Sequence, residues 1–315
     1  MTRSFQPIDL KGIRTYSIAN RQSKVKAEDF ATPHTPGISF GKFLSSLPDI
    51  LAARQIRTVV SRMADAARND RVVLMGMGAH VIKTGLAPIV IDLMRRGVVS
   101  AVAMNGAGII HDLEVAMAGQ TSEDVAAALT DGSFGMVRET NSLLAKAIRN
   151  AGRQGLGLGE SVGQLILDED LPFKESSIFA AGAALGLPVT VHVAMGTDIL
   201  HMHPEFDPEA AGGASHRDFR LFASVVAALE AGVYLNVGSA VILPEVFLKA
   251  TTLIRNLGYR LSQFTTVNMD FIQHYRPMTN VVNRPTADGG TGINLVGHHE
   301  IMLPLIAAGV IEALA

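Results

Sequence analysis

A doubly wound α/β architecture with a mostly parallel sheet is the fold class this sequence predicts, and three observations carry it. The runs RVVLMGMGAH and VVSAVAMNGAG are apolar stretches ending in glycine, as parallel strands buried on both faces look before they turn toward a ligand. Between them Leu86, Ile89, Val90, Leu93 and Met94 recur at helical spacing, so residues 71–108 read strand, helix, strand. Farther on, strand-like and helical runs keep alternating to give at least five strands, with no internal repeat, low-complexity segment or linker.

Residues 1–48 mix charges with Pro33, Pro36 and Gly37 and show no sustained period before Phe40, which predicts an N-terminal arm or irregular packing segment. Residues 49–315 then form a single domain. It opens with a helix over 50–69, carried by Ile50, Leu51, Ile56, Val59, Val60 and Met63. A helix through Leu113 and Met117 follows the second strand, and Thr121 with Asp124 resembles a capping box. Residues 136–185 are helical for most of their length, broken at GRQGLGLGE and at Leu171-Pro172. PVTVHVAMG predicts a strand entered at Pro188 and left at Gly196, followed by the polar run TDILHMHPEFD. Phe219, Phe222, Val225, Val226 and Leu229 share one helical face; VYLNVG is the next strand, and Pro244 sits in the first turn of a helix through Ile254. SQFTTVNMD predicts another strand, NRPTADGGTG a loop, and 301–314 a closing helix.

Composition narrows the function classes. The 315 residues are 48% hydrophobic with a formal net charge of −2, without a long Lys/Arg run or interleaved aromatics, so nucleic acid is not an expected partner. No secretion signal is visible, and the apolar windows near 86–102 and 222–248 are interrupted by charges, so no membrane partner is expected. The absence of cysteine excludes disulfides, thiolate zinc sites and a thiol nucleophile, and suits a cytoplasmic protein.

The glycines Gly76, Gly78, Gly106 and Gly108 fall at two predicted strand C-termini, where open α/β sheets bind ligands. Tight turns would also explain them, and GMGAHV is not a full G-x-G-x-x-G because Val81 stands at the third position. His111 and Asp112 stand at a probable helix start, where Asp112 reads as a cap or as a catalytic group. Lys83 reads as a phosphate ligand or an exposed loop lysine. His201, His203, Glu205 and Asp207, with His298, His299 and Glu300, read as metal ligands or as a substrate pocket that shuttles protons. The two histidine pairs are expected in one pocket, because parallel strands bring both loops to one edge of the sheet. The loop from Asp288 to Gly292 reads as a surface turn or as a closing loop whose Asp288 pairs with a cationic amine.

The runs GMGAHVIKTGLAPIVIDLMRRGVV and NGAGIIHDLE, with PVTVHVAMGTD and the late ADGGTG, resemble the deoxyhypusine synthase family from about residue 71 onward, most strongly before Asp124. That resemblance implies a Rossmann-like fold, NAD, and a homotetramer with active sites at a subunit interface. Family members oxidise spermidine with NAD and pass the butylamine group through an imine on a lysine to a translation factor precursor. Carried over by position, Ala79, His80, Lys83, Asn105, Gly106 and Ala107 join Gly76 and Gly78 near the cofactor. His111 stands where the family has a glutamate, Asp112 matches, and Asp198 matches a cofactor-binding aspartate.

The departures are chemical. The family's late tryptophan, glycine and lysine have no counterpart: this chain has no tryptophan, and the matching stretch reads LVGHHEI, with no lysine after Lys249. An imine needs a primary amine on the protein, which histidine does not supply. ILPEV around Glu245 replaces the family's double histidine. The resemblance therefore implies a deoxyhypusine synthase-like, NAD-binding transferase or oxidoreductase acting on a small amine, such as a polyamine, or an alcohol, without lysine-imine transfer. His203, His298, His299 and Asp288 are its expected catalytic groups. A His/carboxylate metallohydrolase and a non-catalytic nucleotide-binding protein are the alternatives.

Overall fold

A computed structural model describes residues 3–315, and six parallel strands form its sheet in the order β3-β2-β1-β4-β5-β6. The helices α1 (Phe40–Ser46) and α2 (Leu51–Arg68) precede β1 (Val73–Met77). The short α3 (His80–Lys83) and α4 (Ala87–Arg95) lead to β2 (Ala101–Asn105), which runs directly into α5 (Gly106–Ala118). Next come α6 (Val125–Leu129), α7 (Arg138–Gln154), α8 (Leu158–Asp168) and α9 (Ile178–Leu185) before β3 (Val189–His192). The second half runs α10 (Pro208–Ala227), β4 (Val233–Val237), α11 (Ile242–Asn256) and β5 (Thr265–Asp270). A single turn, α12 (Tyr275–Pro277), passes into a π-helical turn over Met278–Asn283, then β6 (Thr291–Val296) and α13 (His299–Leu314) close the chain.

The first three strands wind one way from β1 and the last three the other, so the order reverses between β1 and β4. This is the doubly wound, Rossmann-like topology, and its reversal leaves a crevice outside the carboxyl ends of the two central strands. Met77 pairs with Met104 on one side and Val237 on the other, and Val237 pairs with Met269, so four strands end at nearly the same level.

Alternation along the strands divides the core. Val73, Met75, Met77, Val102, Met104 and Leu235 pack on the face toward α2, α4, α5 and α13, while Leu74, Ala101, Ala103 and Tyr234 pack toward α10 and α11. On the second face Tyr234 stacks on Phe247, with centroids 3.9 Å apart and rings 14° from parallel. Each such aromatic contributes roughly 1.5–3 kcal/mol by burial. Gly76 lies beneath that ring; a Cβ there would stand 2.6 Å from the Tyr234 hydroxyl. Its lack of a side chain is thus accounted for by packing.

Several elements differ from expectation. Thr291 and Gly292, expected as the end of a loop, open strand β6: the glycine fits because a Cβ at Gly292 would strike the Val282 carbonyl. The third strand stops at His192 rather than Gly196, since Ser215 Oγ donates to the Val191 carbonyl and takes Val193 N–H, ending the ladder. Asp124 alone caps α6, accepting from Ala126 and Ala127, whereas Thr121 bonds to side chains of α5. Packing reaches back to α1, whose Leu44 is buried in the core beside Gly309. Residues 3–26 lie exposed, with Phe5, Ile8, Leu10, Ile13, Tyr16 and Ile18 uncovered. Among the described residues no helix is long and apolar enough to cross a membrane.

Candidate active site

The carboxyl ends of the strands collect most of the expected residues. Gly78 follows β1 and faces Gly238 after β4 so closely that a Cβ would strike the Gly238 carbonyl. Gly78 N–H donates to the Val237 carbonyl at 2.9 Å, so the central pair stays zipped to its end. Ala79 is buried, and His80 and Lys83 are exposed beyond it.

At the end of β2, Asn105 precedes the amino terminus of α5, and Asp198, from the segment after β3, sits over Gly106 where any side chain would collide with its carboxylate. Asn105 Oδ1 and Asp198 Oδ2 are both buried with no hydrogen-bond partner. Burial pushes the Asp198 carboxyl up, and the neighbouring His201 works against that shift. A small cavity of about 160 Å³ opens next to Asp198, lined by Lys83, Ala107, His111, Glu114 and Ile199 among others. Inside it His111 Nδ1 lies 2.7 Å from Thr121 Oγ1, which donates to Glu114. Burial raises the Glu114 carboxyl, but the bonds from His111 and Thr121 and the His111 charge prevail and hold it below its usual value.

On the other half of the edge, His299 opens α13 and is 1% exposed. Its Nε2 stands 3.2 Å from the Met269 carbonyl oxygen. A carbonyl only accepts, so Nε2 carries the proton and Nδ1 is left as a free acceptor. Nδ1 is buried and has no partner. Burial is the largest influence on this imidazole and lowers its pKa, with the Met269 bond and Asp270 opposing it. A helix amino terminus further disfavours a positive charge there. His299 therefore keeps one buried ring nitrogen without a partner, in surroundings that disfavour its charged form. The His80 ring centroid lies 5.7 Å away and that of Phe271 6.1 Å, while exposed His298 stacks on Phe271. Gly238 makes room: a Cβ there would stand 2.8 Å from His299 Cε1.

The two histidine pairs do not meet. His201 and His203 follow β3 and His298 and His299 follow β6, the opposite margins of the sheet. His201 lies three residues from Asp198, which sits over Gly106 after β2, whereas the His299 ring packs against Gly238 after β4 and His80 after β1. His201 Nδ1 accepts from Gly196 and Asp198 N–H, and His203 Nδ1 from Glu205 N–H, so both fold their own turn. The expectation of one pocket failed because it fixed the end of the sheet but not the strand order. Among the described residues no three His, Asp or Glu side chains converge as metal ligands.

Asp288 is displaced further. It precedes β6, so it lies at the amino edge, the far end of the sheet from His299, and is not part of this site. Asp112 is wholly buried: it takes the Ser177 hydroxyl and Ile178 N–H at 2.8 Å, capping α9 from α5. Burial pushes its carboxyl up to about 6. Of the two roles open to it, the cap is the one its contacts serve.

Sequence reasoning missed an amide ladder beside the crevice. Asn236 Nδ2 donates to Asn268 Oδ1 at 2.9 Å and Asn268 Nδ2 to Asn294 Oδ1 at 2.8 Å, across β4, β5 and β6. The signal was there: LNVG, VNMD and INLVG each set an asparagine two residues before a strand-end glycine or aspartate, or three before it.

No protein-family model and no curated protein matches the chain. Solved structures do. A cyanobacterial arginine dihydrolase, ArgZ, in its apo form is similar over 84% of this chain and 33% of its own, at 15% identity and a TM-score of 0.52. AgrE in a ternary complex with ornithine and NAD+ is similar over 84% of this chain and 34% of its own, at 14% identity and a TM-score of 0.54. The chain thus spans about a third of the length of these structures. A structure from Entamoeba histolytica described as a putative deoxyhypusine synthase covers 88% of this chain and 94% of its own, at 11% identity and a TM-score of 0.49. The first two likenesses agree with the strand order in showing a Rossmann-like α/β fold.

Proposed function

We propose that this chain is a deoxyhypusine synthase-like, NAD-binding enzyme that oxidises a small amine or alcohol, with His299 as the proton acceptor and no lysine-imine step. The observation that carries the reading is the buried, neutral His299, whose Nε2 is held by the Met269 carbonyl and whose Nδ1 is free at the sheet's carboxyl edge. That is how a general base is oriented: one nitrogen fixed by a backbone acceptor, the other turned to the reacting group.

The residues fit the cofactor. Asn105 Oδ1 and Asp198 Oδ2 are acceptors without donors at the end of β2, where ribose hydroxyls are held in this fold. Lys83, which lines the same cavity as Asp198, is available for phosphate, and His80 lies nearer His299. When bound, NAD supplies the hydride acceptor. His299 takes the proton that a hydroxyl or ammonium must lose, and its depressed pKa keeps it ready at neutral pH. Phe271 and Gly238 pack against the His299 ring. The absence of any lysine after Lys249 supports oxidation without transfer through a protein imine. The uncovered apolar side chains of residues 5–18 support a homo-oligomer, with a tetramer as the family-like expectation.

Calorimetry with NAD tests the cofactor. Saturable binding is expected, weakened about tenfold or more by Asp198→Ala, the loss of roughly one charged-acceptor hydrogen bond. No saturable binding, or binding indifferent to Asp198→Ala, would remove the reading. Borohydride trapping of an adduct on any lysine would restore the imine route.

A further inference from the structure

The loop Asp288 to Gly292, which the carboxyl-edge site leaves without a task, borders a cavity of about 400 Å³ at the other end of the sheet. Its walls are the end of α2 and the amino ends of β4, β5 and β6, including Arg62, Asn69, Arg71, Gln263, Thr265 and Thr291. Gly289, at φ +93°, brings the loop backbone against Gln263; a Cβ there would stand 2.5 Å from Gln263 Nε2.

The charge in this cavity is unbalanced. Its acid, Asp65, is engaged by Arg68 at 3.2 Å and by the Ser61 hydroxyl at 3.3 Å. Among the described residues Arg62 and Arg71 make no ion pair and no side-chain hydrogen bond, although both line the cavity. A shallow groove elsewhere, lined by Arg149, Arg153 and Arg217, differs because Asp207 and Glu209 line it too. Two unspent guanidinium forks over a concave surface of hydroxyls and amides match a phosphoryl group attached to a polar body.

We infer that this amino-edge cavity binds a small phosphorylated molecule, its phosphoryl group held by Arg62 and Arg71 and its hydroxyls by Gln263, Thr265 and Thr291. The site is separate from the dinucleotide crevice, at the other end of strands five to six residues long, or roughly 17–20 Å. Nothing in it depends on the NAD reading.

Calorimetry on the full chain at low ionic strength, with ribose 5-phosphate and inorganic phosphate as probes, tests the inference. Ribose 5-phosphate should bind saturably and more tightly than inorganic phosphate. Arg62→Ala and Arg71→Ala should each weaken it at least tenfold, and the double variant should show no binding. Both side chains are exposed, so thermal unfolding of the variants should match the parent, and the NAD titration should not move. Absence of saturable heat with both probes, equal affinity for the two, or binding that survives the double replacement would overturn it.

Discussion

Asp112 and His299 are equally buried and differ in what their hydrogen-bonding groups are doing. Asp112 has both oxygens engaged, one by the Ser177 hydroxyl and one by Ile178 N–H, in joining α5 to α9. His299 has one nitrogen engaged and one idle. A perturbed pKa marks both, so perturbation alone does not separate a structural group from a chemical one. Unspent capacity at the ligand-binding edge does.

The largest expected effect sharpens that contrast. His299→Asn retains a donor of similar reach but no basic nitrogen, and should lower kcat by about 10²–10⁴-fold while leaving NAD affinity within a factor of two or so. Steady-state kinetics with calorimetry on the same variant checks it; a matched loss of NAD affinity would mean that His299 only shapes the cofactor site. In the parent enzyme the rate should fall on the acid side below pH 6.5, because protonation of an imidazole with a lowered pKa removes the base only there.

Next in size, Asp112→Ala should cost about 2–4 kcal/mol of stability, the penalty for leaving a buried hydroxyl and a helix-terminal N–H unpaired. Denaturant unfolding reads it. An active-site role would instead show as lost turnover at unchanged stability, which would break the comparison.

The smallest effect is a pH dependence. Asp218 on α10 accepts Gly159 N–H at 3.0 Å and Val191 N–H at 2.8 Å, and burial pushes its carboxyl up to about 7. A folded pKa above the unfolded one gives stability that is full below the ordinary carboxylate value of 3.8 and lost as pH rises through about 7. Asp218→Asn carries no such titration. Its midpoint should therefore gain on the parent across that window. A constant difference between the two proteins would show that Asp218 is not protonated in the fold.

Much of the sheet was legible because buried parallel strands leave apolar runs and their helices leave a 3.6-residue period. β6 was not, since Thr291 and Gly292 look like loop and only the contact with Val282 explains them. The glycines at two strand ends pointed to the carboxyl end of the sheet, where Gly78, Asn105 and Gly106 lie. Which histidines meet was not legible, because strand order depends on the direction of winding and leaves no local mark. Asp112 was ambiguous for a related reason: its partners lie 65 and 66 residues away. The asparagine ladder was overlooked because each asparagine alone reads as an unfavourable strand residue, and only their shared register makes them a set.

The pairing of Gly76 with Tyr234 has a consequence for the history of the chain. The hydroxyl above Gly76 is buried without a partner, so Tyr234→Phe removes an unsatisfied group and opens the space that a side chain at 76 would need. The two positions are therefore epistatic: Gly76→Ala is strongly unfavourable with tyrosine present and milder with phenylalanine. A lineage can acquire a larger residue at 76 most easily after the hydroxyl has gone, so the order of these two changes is constrained although neither touches a ligand.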